Sequence, residues 1–202
     1  MKKMIYASVM IATVFAADAF AQRIDLKSGD IGALAGQKTV NIAYDYSEFG
    51  VGKFATEKEY LDKKSAEYNA KEAGKGDTWR KAWVADRKDR FEPKFEELFN
   101  KGLEDKGITA VTGRPDTKYT FVVHTKFVEP GFNVGVMRKN ATVDFDIELV
   151  ETGSKSKVAE MALNRVPGAL AMGMDFDTGA RLAESYAKAG KVLAAYIDKN
   201  LK

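Results

Sequence analysis

The chain has 202 residues, no cysteine and a formal net charge of +3 at neutral pH. Without cysteine it has no thiol catalyst, no disulfide exchange and no cysteine metal site. Charge this evenly balanced also argues against the concentrated basic face of a nucleic-acid binder.

In chain order, Lys2 and Lys3 precede an apolar run over residues 4–17, and Ala19-Phe20-Ala21 follows as a small-x-small cleavage site. This reads as a signal peptide over residues 1–21, with the mature chain starting at Gln22. The run is shorter than the roughly 20 apolar residues of a spanning helix, and Asp18 ends it. The expectation is a periplasmic or secreted protein, exported from a bacterium, with no stable membrane anchor after cleavage. Cleavage removes 21 of 202 residues, among them two lysines and one aspartate, so the net charge falls from +3 to +2. The remaining length suits one domain with its own core.

Residues 22–37, rich in Gly and Ala, read as an N-terminal arm; residues 38–202 read as a single domain. Val40, Ile42 and Tyr44 alternate and predict a strand. Thr56-Glu57-Lys58-Glu59 fits a capping box, in which Thr caps the third helical amide and Glu reaches back. A polar helix over 57–72 follows, ended by Gly74 and Gly76. Asp77 is placed to cap the next helix, beginning at Thr78. Trp79, Trp83, Phe91, Phe95 and Phe99 recur at helical spacing as one aromatic stripe. Pro93 should kink or split that helix, and Gly107 suits its left-handed end.

The period then changes. Residues 108–111 predict a short strand. Tyr119, Phe121, Val123 and Phe127 alternate, as do Val143, Phe145, Ile147 and Leu149; Val158, Met161 and Leu163 indicate a further strand. A long hairpin connection, EPGFNVGVMRKN, joins the two long strands. From Thr178 to Leu201 an apolar face rich in small residues predicts a closely packed helix. The fold class expected is α+β: two layers, an antiparallel-rich mixed sheet of about five strands, and helices packed on one face.

The stretch MDFDTGA, residues 174–180, carries the Asp-Thr-Gly of aspartic proteases and an Asp-x-Asp-x-Gly resembling a calcium loop. A helix follows where the protease needs more sheet, and only 23 residues remain after Gly179. The calcium loop needs Gly at its sixth position and an acid at its twelfth; here Gly stands fifth and Tyr186 twelfth. Asp177 therefore reads as a helix N-cap. Asp144, Asp146 and Glu148 share one strand face, and Lys118, His124 and Lys126 another. Cross-strand ion pairs are the simpler reading, and a hydrolase using these carboxylates with His124 is the alternative. No phosphate-binding glycine loop is complete. No cofactor and no metal is expected. Two apolar loops remain: Phe132, Met137 and Arg138 in one, Met172 and Met174 in the other. Such Met-bearing loops make adaptable contact surfaces.

The segments EPGFNVGVMRKNATVDF and VPGALAMGMDFDTGARLAESYAKAGKVLAAYI resemble an uncharacterised family of exported proteins from Gram-negative bacteria, over about residues 39–197. That resemblance implies no activity and no catalytic residue. The order of elements also loosely resembles the small α/β domain at the N-terminus of the periplasmic protein TolB. The expectation is a non-catalytic binding or accessory protein whose partner is an envelope or secreted protein, with Phe132, Met137, Arg138, Met172 and Met174 as contacts. A small-molecule or lipid carrier is a further alternative, which requires a deep apolar cavity between sheet and helices.

Overall fold

The computed structural model describes residues 23–133, 137–168 and 177–201. Residues 1–22, including the stretch read as a signal peptide, and Met172 and Met174 lie outside the described residues. The strands are β1 (Asp25–Gly29), β2 (Thr39–Asp45), β3 (Gly50–Val51), β4 (Thr109–Thr112), β5 (Tyr119–Glu129), β6 (Phe132–Asn133), β7 (Arg138–Lys139), β8 (Ala141–Glu151) and β9 (Lys157–Gly168). The helices are α1 (Glu57–Asn69), α2 (Lys75–Asp86), α3 (Glu92–Gly102) and α4 (Thr178–Asn200).

The protein has an α+β fold with one mixed sheet in the order β1-β9-β8-β5-β2-β4, and β3 adds to β5. That is seven strands rather than about five. The additions are the short β3 and the edge strand β1, which lies within residues 22–37, the stretch read as an arm. All five residues of β1 are exposed, so it has no apolar alternation by which a sequence could reveal it. Just after it, Ile31 and Leu34 are buried. Pairs β1–β9, β9–β8 and β8–β5 are antiparallel, while β5–β2, β2–β4 and β3–β5 are parallel.

Helices α3 and α4 cover one face. Phe95, Phe99, Leu182, Tyr186, Leu193 and Ile197 close over Phe121, Val123, Phe145, Ile147, Leu149, Met161 and Leu163, all nearly inaccessible. Each such side chain contributes roughly 1.5–3 kcal/mol on burial. Phe99 meets Phe121 edge-on at 5.6 Å, and Tyr186 meets Phe145 edge-on at 4.9 Å. The layer between sheet and helices is thus filled by side chains. The small-residue face of α4 serves a helix neighbour as well as the sheet: a Cβ on Gly190 would stand 2.2 Å from the Phe95 carbonyl oxygen.

Three local features depart from simple periodicity. Helix α2 begins at Lys75 behind a left-handed Gly74, so Asp77 sits in the first turn rather than at the cap. A π-helical segment, Arg87–Phe91, links α2 to α3. Pro93 has no N–H to give the carbonyl four residues back, and the widened turn at 87–91 accommodates that loss. In β5 a bulge at Lys126 shifts the register: Thr125 faces Phe145 but Phe127 faces Asp144. Phe127 is therefore on the helix-free face, opposite to the side predicted by its alternation with Tyr119, because one extra residue inverts everything after it.

Candidate binding groove

Helix α1 starts with a near capping box, in which the acid reaches the amide one residue before the cap Thr56. Thr56 accepts from the Glu59 amide at 3.2 Å, and Glu59 accepts from the Ala55 amide at 3.2 Å. This sets Tyr60, Lys64 and Tyr68, four residues apart, along one side of α1. Helix α2 returns against it at very short range: a Cβ on Gly76 would lie 2.0 Å from the Ser65 carbonyl oxygen. Glycine is what permits that approach.

The hairpin so formed faces Trp79 and Trp83 to Tyr60, with ring centroids 5.8 Å and 5.1 Å away. Tyr68 meets Trp79 at 5.5 Å and Phe54, from the turn after β3, meets Tyr60 at 5.7 Å. Phe132, from the β6–β7 ribbon, completes a groove of about 820 Å³, with Lys53, Lys64, Glu129, Thr178 and Arg181 around it. Trp83 and Tyr60 are buried and form the floor; Trp79 and Phe54 are only partly buried.

The polar groups differ in how they are engaged. Trp83 Nε1 donates to Glu57 at 2.6 Å, and the Arg87 guanidinium donates to both oxygens of Glu57 at 2.6 and 2.5 Å. Arg87 also lies 4.5 Å over the ring of Tyr46. Glu129 accepts from the Gly131 amide and pairs with Lys139. Arg181, 3% exposed, donates to the Pro130 carbonyl at 3.1 Å and to Thr178 at 3.0 Å. By contrast, among the described residues Trp79 Nε1 and the Tyr60 and Tyr68 hydroxyls have no hydrogen-bond partner, and Lys53 has no carboxylate, only the face of Phe54 at 5.6 Å. Burial, with Tyr68 and Glu129 close by, pushes the Tyr60 hydroxyl up to about 12, so it is a protonated donor at neutral pH.

Of the residues predicted as contacts, Phe132 lies on the groove rim and is 41% exposed. Met137 is 60% exposed and lies outside the groove lining. Arg138 stands opposite Asn133 in the backbone register of the β6–β7 ribbon. Met172 and Met174 fall outside the described residues. Sequence periodicity missed Tyr60, Trp79 and Trp83 as a group, because it joined the tryptophans to the phenylalanine stripe. The π-helical segment re-aims them within one continuous core: Phe91 stacks on Tyr186 and Phe99 meets Phe121, whereas both tryptophans meet Tyr60 of α1. The readable signal was Tyr60 and Tyr68 set eight apart, opposite Trp79 and Trp83 across two glycines.

The strand carboxylates are elsewhere, on the helix-free face of the sheet. His124 shares a hydrogen bond with Asp45 at 2.8 Å through Nδ1, while Nε2 is 3.8 Å from Glu148. Lys157 of β9 joins Glu148 at 2.6 Å and Glu160 at 2.7 Å. Asp144 accepts from the Arg165 amide. It thereby holds a β9 bulge in which Arg165 adopts φ +51°, a conformation that L side chains rarely take. Lys118 lies over Tyr119 rather than against a carboxylate. The expected ion pairing exists in part: His124 faces Glu148 as the sequence suggested, while Lys157 of β9 is an added cation and Asp45 of β2 an added acid, neither of which the β5–β8 hairpin alone revealed. Asp177 caps α4, accepting from Gly179 and Ala180 at 2.8 and 3.3 Å and pairing with Arg90 at 2.6 Å. Burial works against its ionisation, but Arg90 and the helix amides outweigh it and hold the carboxyl below its usual range.

No family model and no curated protein matches the chain. Solved structures similar to it include the PelC dodecamer of Paraburkholderia phytofirmans, at 13% identity and a TM-score of 0.39, covering 86% of this chain and 99% of that one. A point variant of the same PelC gives a TM-score of 0.40 at 13% identity, over 86% of this chain and 98% of that one. A Xanthomonas campestris protein of family DUF330 aligns at 13% identity and a TM-score of 0.34, over 50% of this chain and 58% of that one. At TM-scores below 0.5 these likenesses carry no argument about fold or function.

Proposed function

We propose that this protein is a non-catalytic binding or accessory protein of the bacterial envelope, exported by its leader, and that it holds an envelope or secreted protein in the aromatic groove. The observation that carries this reading is the groove itself: aromatic rings around about 820 Å³, with Phe132 41% exposed at the rim. Exposed aromatic side chains beside a concavity are the kind that dominate binding energy at interfaces. The strand carboxylates and His124 favour no hydrolase, since they engage one another and the backbone on an open sheet face.

The experiment is site-specific photo-crosslinking in intact cells from position 132, with fractionation of the cells and mass spectrometry of the adduct. One stoichiometric envelope or secreted partner is expected from position 132 and none from a control position at Lys81 on the far side of α2. Phe132→Ser should abolish capture without lowering the melting temperature. A large fall in stability, or equal capture from both positions, rejects the reading.

A further inference from the structure

The rings lining the groove are inclined to one another. Tyr68–Trp79, Tyr60–Trp79 and Phe54–Tyr60 meet at 57°, 69° and 63°. Coplanar rings would offer a flat platform for a sugar or a base. Inclined rings instead leave wedge-shaped valleys that accept a small apolar ring edge-first.

The backbone of the turn after β3 is closed to one mode. Val51 and Phe54 exchange both backbone hydrogen bonds, Gly52 N–H reaches Val128, and β3 is paired with β5 on its other side. No strand edge in this turn is open for an added β-strand, so a ligand lying against it needs a backbone that requires no ladder there. The hydrogen-bonding groups left over in the groove can all donate: Trp79 Nε1, which can do nothing else, and the Tyr60 and Tyr68 hydroxyls, which can also accept, none bonded among the described residues. Donors beside aromatic valleys suit an extended polyproline II chain, which has no internal hydrogen bonds and presents its carbonyls outward. Charge supplies a further selector. Glu129 is engaged by Lys139, whereas Lys53 at the rim has no carboxylate.

Resting on the groove's role as a binding site, we propose that it recognises an extended, proline-containing segment of the partner protein, with an acidic residue set toward Lys53. Prolines occupy the valleys, Trp79 and the two tyrosines donate to segment carbonyls, and Lys53 pairs with the acid.

The test is titration of the purified protein, followed by tryptophan fluorescence and calorimetry, with the acetylated and amidated peptide Pro-Pro-Glu-Pro-Pro-Glu-Pro-Pro. A twin with Lys in place of Glu and a Thr-Val-Glu repeat of equal charge serve as controls, and chitohexaose as a glycan probe. Saturable binding of the first peptide alone is expected. Trp79→Phe and Tyr68→Phe each delete one donor while keeping a ring, and should weaken it about three- to tenfold while cooperative unfolding is retained. Lys53→Ala should remove the preference for Glu over Lys. Failure of the proline peptide to bind up to about 1 mM, equal affinity in Trp79→Phe and the parent, stronger binding of the Thr-Val-Glu repeat, or binding of chitohexaose instead, each overturns the proposal. If crosslinking from position 132 still captures a partner when the peptide does not bind, the binding role stands and the polyproline reading falls.

Discussion

The aromatic groove and the helix-free sheet face both display half-buried side chains, yet they dispose of polar groups in opposite ways. On the sheet face Glu148 has Lys157 and His124, His124 has Asp45, and Asp144 has the Arg165 amide. In the groove, Trp79, Tyr60, Tyr68 and Lys53 keep hydrogen-bonding or charge capacity that no described residue uses. Charge alone would have pointed to the sheet face as the chemical centre. The contrast is not complete, since His124 Nε2 on the sheet face is buried without a hydrogen-bond partner; the groove differs in that its donors stand beside exposed rings and are left to water, which a ligand carbonyl can replace.

The contrast can be broken most severely at the groove floor. Trp83→Ala removes a buried indole packed on Tyr60 and deprives Glu57 of a donor. It should cost about 3–5 kcal/mol in chemical denaturation, and a cost below about 1 kcal/mol would mean that the floor is not part of the cooperative core. The start of α4, which brings Thr178 and Arg181 to the groove, is the next most sensitive point. Asp177→Ala should cost about 1 kcal/mol. Because the folded-state carboxyl is held below its usual value, its contribution is fully present above the ordinary carboxylate range and is lost as pH falls through the lowered folded value. The parent and the variant should therefore converge in stability once the pH has fallen below that lowered folded value, and a gap that widens on acidification contradicts this account. The smallest effect belongs to the sheet face. Glu148→Gln should cost less than about 1 kcal/mol and less still at high salt, since partly exposed pairs are weak and screened; a loss of several kcal/mol would show that face to be more than a set of surface pairs.

Particular residues show where sequence reading reaches its limit. Asp177 was legible as a cap because capping needs only the next three amides, all local in the chain. The alternation of Val143, Phe145, Ile147 and Leu149 was legible for the same reason, and all four are buried. Phe127 was not, since a bulge is defined by two strands together and its extra residue looks like any other. Trp79 and Trp83 were visible as helical aromatics, but whether they faced the sheet or α1 depended on the five-residue π segment ahead of Pro93. Of the predicted contacts, Phe132 was found from its apolar loop, while the rings opposite it came from a helix hairpin some 60 residues earlier in the chain.

The sequence by itself determined the α+β class, the main strands and helices, the α4 cap and the absence of thiol chemistry, because propensity, periodicity, capping and composition act over a few neighbours. Only the tertiary structure decided the seven-stranded order, the face on which Phe127 lies, the added partners that β9 and β2 bring to the sheet face and the enclosure of the aromatic groove. Those outcomes arise from contacts between distant segments. There, backbone approach at Gly76 and Gly190, one bulge and one widened helical turn choose among packings that local preference leaves equal.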